Sequence, residues 1–359
     1  MNRLLLGSAA AALMIAPAAA GPIAVTVGGY YNSMFYNVDS DNTGTEYKDF
    51  SFQQDAEIYF KGKGKTKNGL EVGFAVQLEA HSDNPSLESE EVAGETEYSL
   101  DLGDQIDEHY IYVKGSFGKI EFGAENSAAY KAQVMAPKFL GWKTYDNNFA
   151  TWSKTAKYEK PYHDNYSGDA NKLNYYSPKV NGFQFVYALT PSTGGGSGGH
   201  GMTLLEEGAG YDDVTSMGLK YSGSLAGMKV KASFTTEEGT GTDNVDDSET
   251  ALGLSVSFGP WTIGGNNFTA EENNEDVWDV THIGVQYKLS KATVLGIASH
   301  DQTDDSTASG NNDTTVTVVG GSTKLGSGVK LTYSHETVSS DNTAKGDSTF
   351  TGVGLLLKF

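Results

Sequence analysis

Apolar and polar residues alternate along most of this chain, most cleanly at its end. In the last stretch, Thr349, Thr351, Val353, Leu355, Leu357 and Phe359 fall on one face of an extended strand. Phe350, Gly352, Gly354, Leu356 and Lys358 fall on the other, because successive strand side chains point to opposite sides. A soluble sheet hides such an apolar face in a core. A barrel in a membrane turns it out to lipid and keeps small and polar residues in the lumen. One strand does not choose between the two, so the choice rests on how often the pattern returns.

It returns throughout. Val25, Val27, Gly29, Tyr31, Ser33 and Phe35 mark a first strand, and Ala56, Ile58 and Phe60 a second. Leu70, Val72, Phe74, Val76, Leu78 and Ala80 alternate with Glu71, Gly73, Ala75, Gln77 and Glu79. Met228, Val230, Ala232 and Phe234 alternate with Lys229, Lys231, Ser233 and Thr235. Short turns, such as Thr66 to Gly69, Val180-Asn181-Gly182 and Gly259-Pro260, alternate with longer polar loops. The pattern predicts sixteen strands, with short turns after strands 2, 4, 6, 8, 10, 12 and 14. An even strand number with long loops at one end and short turns at the other predicts an all-β fold, a 16-stranded antiparallel transmembrane β-barrel. Length agrees: about 21 residues per strand with its connection suffices for a tilted span of ~9–11. His109 to Lys114 is ambiguous, because Tyr110 and Tyr112 on one face and Ile111 and Val113 on the other both suit the outside; a strand at a subunit contact would look like this.

The N-terminus reads as a secretory leader. Asn2 and Arg3 precede the apolar Leu4 to Ala16, and Ala18-Ala19-Ala20 supplies small residues for cleavage. The expected domains are a signal peptide at 1–20 and a barrel at 21–359. There is no cysteine, which removes a disulfide framework. Arg3 is the only arginine, so after cleavage 24 lysines face 46 acids, a net charge of −22. That excess argues against nucleic acid, which needs a basic footprint, and favours cations, as free solutes or as ions bound in loops. Glycine, at 44 residues, and tyrosine, at 20, suit walls with an aromatic band and a small-residue interior.

The connection from Asn126 to Asn171 is far longer than the others. It carries Tyr130, Phe139, Trp142, Tyr145, Phe149, Trp152, Tyr158, Tyr162 and Tyr166, and aromatics at that density want burial. Inside a wide barrel the room for that is the lumen, so 126–171 is expected to fold inward as a constriction loop; an external cap or a subunit contact is the competing reading. Opposed charges would complete the narrow point. The candidate set is Asp146, Glu159 and Asp164 from the loop and Lys61, Glu57, Glu121, Lys229 and Lys231 from the wall. Any inward charge also serves as plain solvated wall. No histidines pair at metal spacing, and no nucleophile elbow or phosphate loop is evident, so no enzyme and no cofactor is expected. Asp39-x-Asp41-x-Thr43-Gly44 opens like a calcium loop, but Phe50 stands where the closing glutamate belongs; loop-bound Ca2+ competes there with a plain solvated turn.

On AEIYFKGKGKTKNGLEVGFAVQLEA (Ala56 to Ala80), YIYVKGSFGKIEFGAENS (Tyr110 to Ser127), KLNYYSPKVNGFQFVYAL (Lys172 to Leu189) and the terminal GVGLLLKF, the chain resembles the general Gram-negative porins, most closely those of alphaproteobacteria. The resemblance implies a homotrimer in the outer membrane, among lipid and lipopolysaccharide, passing ions and small hydrophilic solutes by passive diffusion. It implies that the third external loop folds inward, and that the terminal Phe359 is read by the barrel-insertion machinery. The family's pore wall usually carries an arginine cluster, which this chain lacks after cleavage; lysines substitute as point charges without the guanidinium fork. The alternative from another class is a secreted acidic β-sandwich or propeller that binds cations or glycans. The aromatic terminus, the alternating loop lengths and the absence of an Ile and Leu excess weigh against it.

Overall fold

The computed structural model describes residues 21–41, 48–79, 86–92, 95–101, 106–141, 161–163, 166–194, 210–242, 244–272, 275–304, 313–341 and 346–359. The expected leader lies outside them. The first strands are β1 (Gly21–Ser40), β2 (Phe50–Lys65) and β3 (Glu71–Glu79), followed by a separate hairpin of β4 (Ser86–Val92) and β5 (Glu95–Asp101). Next come β6 (Ile106–Gly115), β7 (Gly118–Ala124), a one-turn helix α1 (Ala128–Ala132), β8 (Asn171–Tyr176) and β9 (Phe183–Ser192). The second half is a run of hairpins: β10 (Asp212–Leu225), β11 (Met228–Thr240), β12 (Asp246–Phe258), β13 (Trp261–Glu272) and β14 (Glu275–Lys288). It ends with β15 (Thr293–Asp304), β16 (Thr314–Gly326), β17 (Val329–Ser340) and β18 (Ser348–Lys358).

All but β4 and β5 form one closed antiparallel barrel of 16 strands, each beside its neighbour in sequence. The β4–β5 hairpin falls in a stretch read from sequence as a polar loop. Its Glu88, Glu90, Glu91, Glu95, Glu97 and Asp101 do not suit hydrocarbon, and it pairs outside the wall. Closure is made by the end of the chain. β18 runs against β1 from Tyr30↔Lys358 to Ser40↔Ser348, and Gly29 and Phe359 exchange both backbone hydrogen bonds, at 3.0 and 3.1 Å. A barrel crossing lipid needs this seam, because an unpaired edge has no water to satisfy it there.

The two faces are as the alternation predicts. Val27, Ile58, Leu219, Phe234, Leu252, Ile283 and Val353 point outward and stay exposed. An apolar surface of that extent is foreign to a soluble monomer and is what a lipid belt requires. Aromatics gather near the short turns: Phe183 stacks with Tyr221 at 4.9 Å and Trp261 with Tyr287 at 4.5 Å, as in an interfacial girdle. The turns are tight; Asn181 and Gly182 take φ values of 51° and 88°, the left-handed pair that a two-residue hairpin of this twist needs. In β6 the ambiguity resolves with Ile111 outward and Tyr110 and Tyr112 inward. Glycine opposite explains it: a Cβ on Gly73 would sit 2.4 Å from the Tyr112 ring, and one on Gly123 2.7 Å from Tyr110 Cα.

The two faces differ in what they tolerate. Ile283→Lys, on the lipid side of β14, should cost about 2–4 kcal/mol near the membrane mid-plane. Gln286→Lys, three residues on and inward, should cost under about 1 kcal/mol. Urea unfolding of the two variants in lipid vesicles measures both, and equal costs would contradict the assignment of faces.

Candidate pore constriction

The connection after β7 enters the barrel, as its aromatic content predicts. Its root is a knot of charge. Ser127 caps α1 by accepting from the Tyr130 amide at 3.2 Å. Asn174 on β8 accepts from the Ala128 amide at 2.8 Å and donates to Glu125 Oε1 at 2.8 Å and to the Asn126 carbonyl at 3.0 Å. Lys131 pairs with Glu125 and Glu121 and lies 4.9 Å over the Tyr110 ring. Burial alone would lower its ammonium, but those carboxylates outweigh burial and hold it above the usual lysine range. Glu121 takes Lys119 as a second cation. Lys172 donates to the Gly168 and Ala170 carbonyls at 2.8 and 2.7 Å and to that of Glu125. Buried charges of this kind are kept only with full sets of partners.

From the root the chain runs around the inner wall along a track of small residues. The Val134 amide donates to Ser233 Oγ on β11 at 2.8 Å. Ser322 on β16 donates to the Phe139 carbonyl at 2.9 Å, and Thr332 on β17 to that of Leu140 at 3.0 Å. Between these anchors glycine makes the room. A Cβ on Gly253 would sit 1.9 Å from the Val134 carbonyl oxygen, and one on Gly296 2.3 Å from the Phe139 ring. Phe139 and Leu140 then pack with Met34, Tyr36, Val316, Val318 and Phe350 in an apolar cluster inside the lumen. Phe350 and Leu356 of the last strand thus face inward and are buried under the loop.

The returning limb is held by the outer half of the wall. Tyr162 meets Tyr130 edge to face at 5.2 Å. Fully buried His163 places Nδ1 3.1 Å from Glu249 Oε2 and Nε2 2.9 Å from Thr235 Oγ1. Burial pushes its imidazole down to about 4, so at neutral pH Nδ1–H donates to the carboxylate and Nε2 accepts from the hydroxyl. The Ser167 amide donates to Glu237 Oε1 at 3.0 Å, and Asn266 donates to the Pro161 carbonyl at 2.6 Å.

Of the candidate charges, Asp146, Glu159 and Asp164 lie outside the described residues, as do Trp142, Tyr145, Phe149, Trp152 and Tyr158. Lys61 points into the lumen, exposed, with Nζ 4.5 Å over Tyr59. Glu57 is half-buried and accepts from Tyr30 OH at 2.8 Å. Glu121 is buried in the root knot. Lys229 and Lys231 are inward on β11, at its short-turn end. The described members of the set therefore do not form one ring. Charge is instead sorted along the barrel axis. Lys61, Lys63, Lys220, Lys229, Lys231, Lys324, Lys330 and Lys358 sit near the short turns, with Glu71 among them paired to Lys63 at 2.8 Å. Asp55, Glu57, Glu79, Asp107, Glu237, Glu249, Asp304 and Glu336 sit toward the long loops. Carboxylate oxygens of Glu57, Glu79 and Asp107 lie within 4.8 Å of one another, and Tyr30 donates to Asp55 beside them at 2.8 Å. A bulge in β6, where Val76 faces His109 but Leu78 faces Ile106, puts both Asp107 and Glu108 in that group. In the calcium-like stretch, Asp39 pairs within the wall and the Asp41 amide donates to the Asp347 carbonyl; residues 42–47 are not described.

The family model for Gram-negative porins matches residues 7–355, and the chain belongs to that family. The protein is an outer-membrane porin with a loop folded into its channel. Solved structures agree in fold at low identity. OmpT, an outer membrane protein of Vibrio cholerae, in a trimer form, is 12% identical, with a TM-score of 0.62 over 94% of this chain and 100% of that one. An anion-selective porin from Comamonas acidovorans is 13% identical, with a TM-score of 0.61 over 94% and 100%. Salmonella typhi OmpF, in complex with daunomycin, is 15% identical, with a TM-score of 0.63 over 93% and 97%. No curated sequence matches the chain.

The wall track has a direct consequence. Gly253→Val places side-chain atoms where the Val134 carbonyl lies, and overpacking of this kind costs about 1–3 kcal/mol. The barrel should still form, with its heat-dependent gel shift intact, while the displaced segment moves toward the axis and lowers single-channel conductance. Unchanged conductance would mean that the loop does not lie on this wall.

Proposed function

We propose that the protein is a passive, non-enzymatic diffusion pore for ions and small hydrophilic solutes, that it works as a homotrimer among outer-membrane lipid and lipopolysaccharide after loss of residues 1–20, and that it prefers cations. The observation that carries the pore is the wall itself: apolar outside, polar or small inside except where it packs against the inward loop, and closed. In the trimer the β6–β7 wall, with Ile111 and Phe122 outward, is the proposed subunit contact, next to the root of the inward loop.

The cation preference rests on the outer half of the lumen. Asp55, Glu57, Glu79 and Asp107 are half-exposed around the loop root, whereas Lys131 and Lys172 there are consumed by Glu125, Glu121 and backbone carbonyls. A lumen wall of one sign raises the local concentration of counter-ions. Screening bounds the effect, since at ~0.1 M salt the field fades over ~10 Å. The test is the zero-current potential across a potassium chloride gradient in planar bilayers. The sign of potassium preference is expected at low salt, weakening at high salt, with Asp55→Asn, Glu57→Gln, Glu79→Gln and Asp107→Asn together reducing it at least about twofold. Chloride preference at low salt in the unaltered protein would refute the reading.

A further inference from the structure

On the short-turn side of the inward loop, between α1 with the segment after it and the wall of β10 to β13, lies a recess of about 660 Å3. Lys220, Lys229 and Lys231 project into it from the wall, with the hydroxyls of Ser255, Ser257 and Thr262 beside them. Register brings the three lysines together. Lys220 lies across from Ser233 and Lys231 across from Ser222, so Lys220 and Lys231 are diagonal neighbours on one face, within ~8 Å. Lys229 follows two positions along the same face, ~7 Å from Lys231.

No carboxylate lines the recess, and none of these three lysines forms an ion pair among the described residues. In a chain with 46 acids, a triple lysine cluster with no counter-charge among the described residues suits an anion from outside. The roof adds a second sign. Gln133, on the loop, is buried and lines the same recess, yet neither its amide nitrogen nor its amide oxygen has a hydrogen-bond partner among the described residues. Buried amides are rarely left unpaired, which makes Gln133 a candidate partner for a ligand in the recess.

We propose that this recess is a binding subsite for small oxyanions carrying two or more negative charges, the chemistry shared by phosphorylated and polycarboxylate solutes. Lys220, Lys229 and Lys231 supply the charge, and Gln133 and Ser255 supply directed hydrogen bonds. The subsite opens toward the short-turn mouth, opposite to the acidic outer half, so one channel presents a cation-attracting entrance at one end and an anion-retaining station at the other.

The proposal rests on the open-channel reading, which plain potassium chloride conductance tests on its own in the same record. Inorganic pyrophosphate is the probe, added to either side of a single channel. The expected result is a saturable fall in conductance, reached at several-fold lower concentration from the short-turn side. Lys220→Gln, Lys229→Gln and Lys231→Gln together should raise the half-blocking concentration at least about tenfold, and Gln133→Leu about threefold. A charge-matched control replaces Lys324, Lys330 and Lys358, which line the same mouth at a separate recess of about 340 Å3, with glutamine. It should leave the half-blocking concentration within about twofold, and its normal heat-dependent gel shift shows folding. A block that does not saturate, or that the control weakens as much as the first triple variant does, would show a diffuse field rather than a site and overturn the proposal.

Discussion

Backbone amides and carbonyls in hydrocarbon have no water to turn to, and every other feature of this molecule follows from that. Sixteen strands satisfy one another only if the first and last meet. Here Gly29 and Phe359 complete the ring by exchanging both backbone bonds. Closure at this strand number forces a lumen too wide for wall side chains alone to fill. A wide lumen passes solutes without discrimination unless something is placed across it, and the chain supplies that from its own third long connection.

Placing a loop in a water-filled barrel raises the problem of holding it there. The solution has two halves. Where the loop leaves β7, charge holds it: Glu121, Glu125, Lys131 and Lys172 sit in a buried network with Asn174 at its centre. Where it travels, shape holds it: Gly253, Gly296 and Gly320 lower the inner wall under the chain, while Ser233, Ser322 and Thr332 bond its backbone. The apolar cluster around Phe139 and Phe350 is therefore a small soluble-type core inside a membrane protein. It explains why the last strand carries Phe350 and Leu356 on its inward face.

Much of the wall was legible in the sequence, since a period of two, once repeated, states which way each strand faces. The alternation of Val72, Phe74 and Val76 with Glu71, Gly73 and Ala75 survives unchanged in the barrel. β6 was not decidable alone, because Tyr110 and Ile111 are both suited to an exterior; Gly73 of β3 settles the direction by leaving space for the Tyr112 ring, and Gly123 of β7 by letting Tyr110 approach closely. The inward course of the loop was legible from its aromatics. The residues that hold it were not, for the track is built from one or two small residues on each of many strands, and no local window contains more than two of them. Candidate charges fared according to height along the axis, which composition does not carry. Glu121 proved to be a structural partner of Lys119 and Lys131, while Glu57, Lys61, Lys229 and Lys231 line the lumen at different levels. Gln133, Asn174 and His163 were missed, since nothing local marks a lone polar residue that finds its partners, or lacks them, only across the lumen.

The claim on which the rest depends is that the loop lies pinned along the inner wall. The chain has no cysteine, so an introduced pair has only itself to react with. A Cβ built on Gly284 of β14 lies 3.2 Å from the Ala136 Cβ on the loop, close to the spacing a disulfide needs. Ala136→Cys with Gly284→Cys, oxidised in the folded protein and mapped by mass spectrometry of its peptides, is the most direct measurement. A pinned loop predicts near-complete cross-linking within one chain, with the channel still open in bilayers. Two free thiols after oxidation, or a link that closes the channel entirely, would contradict it.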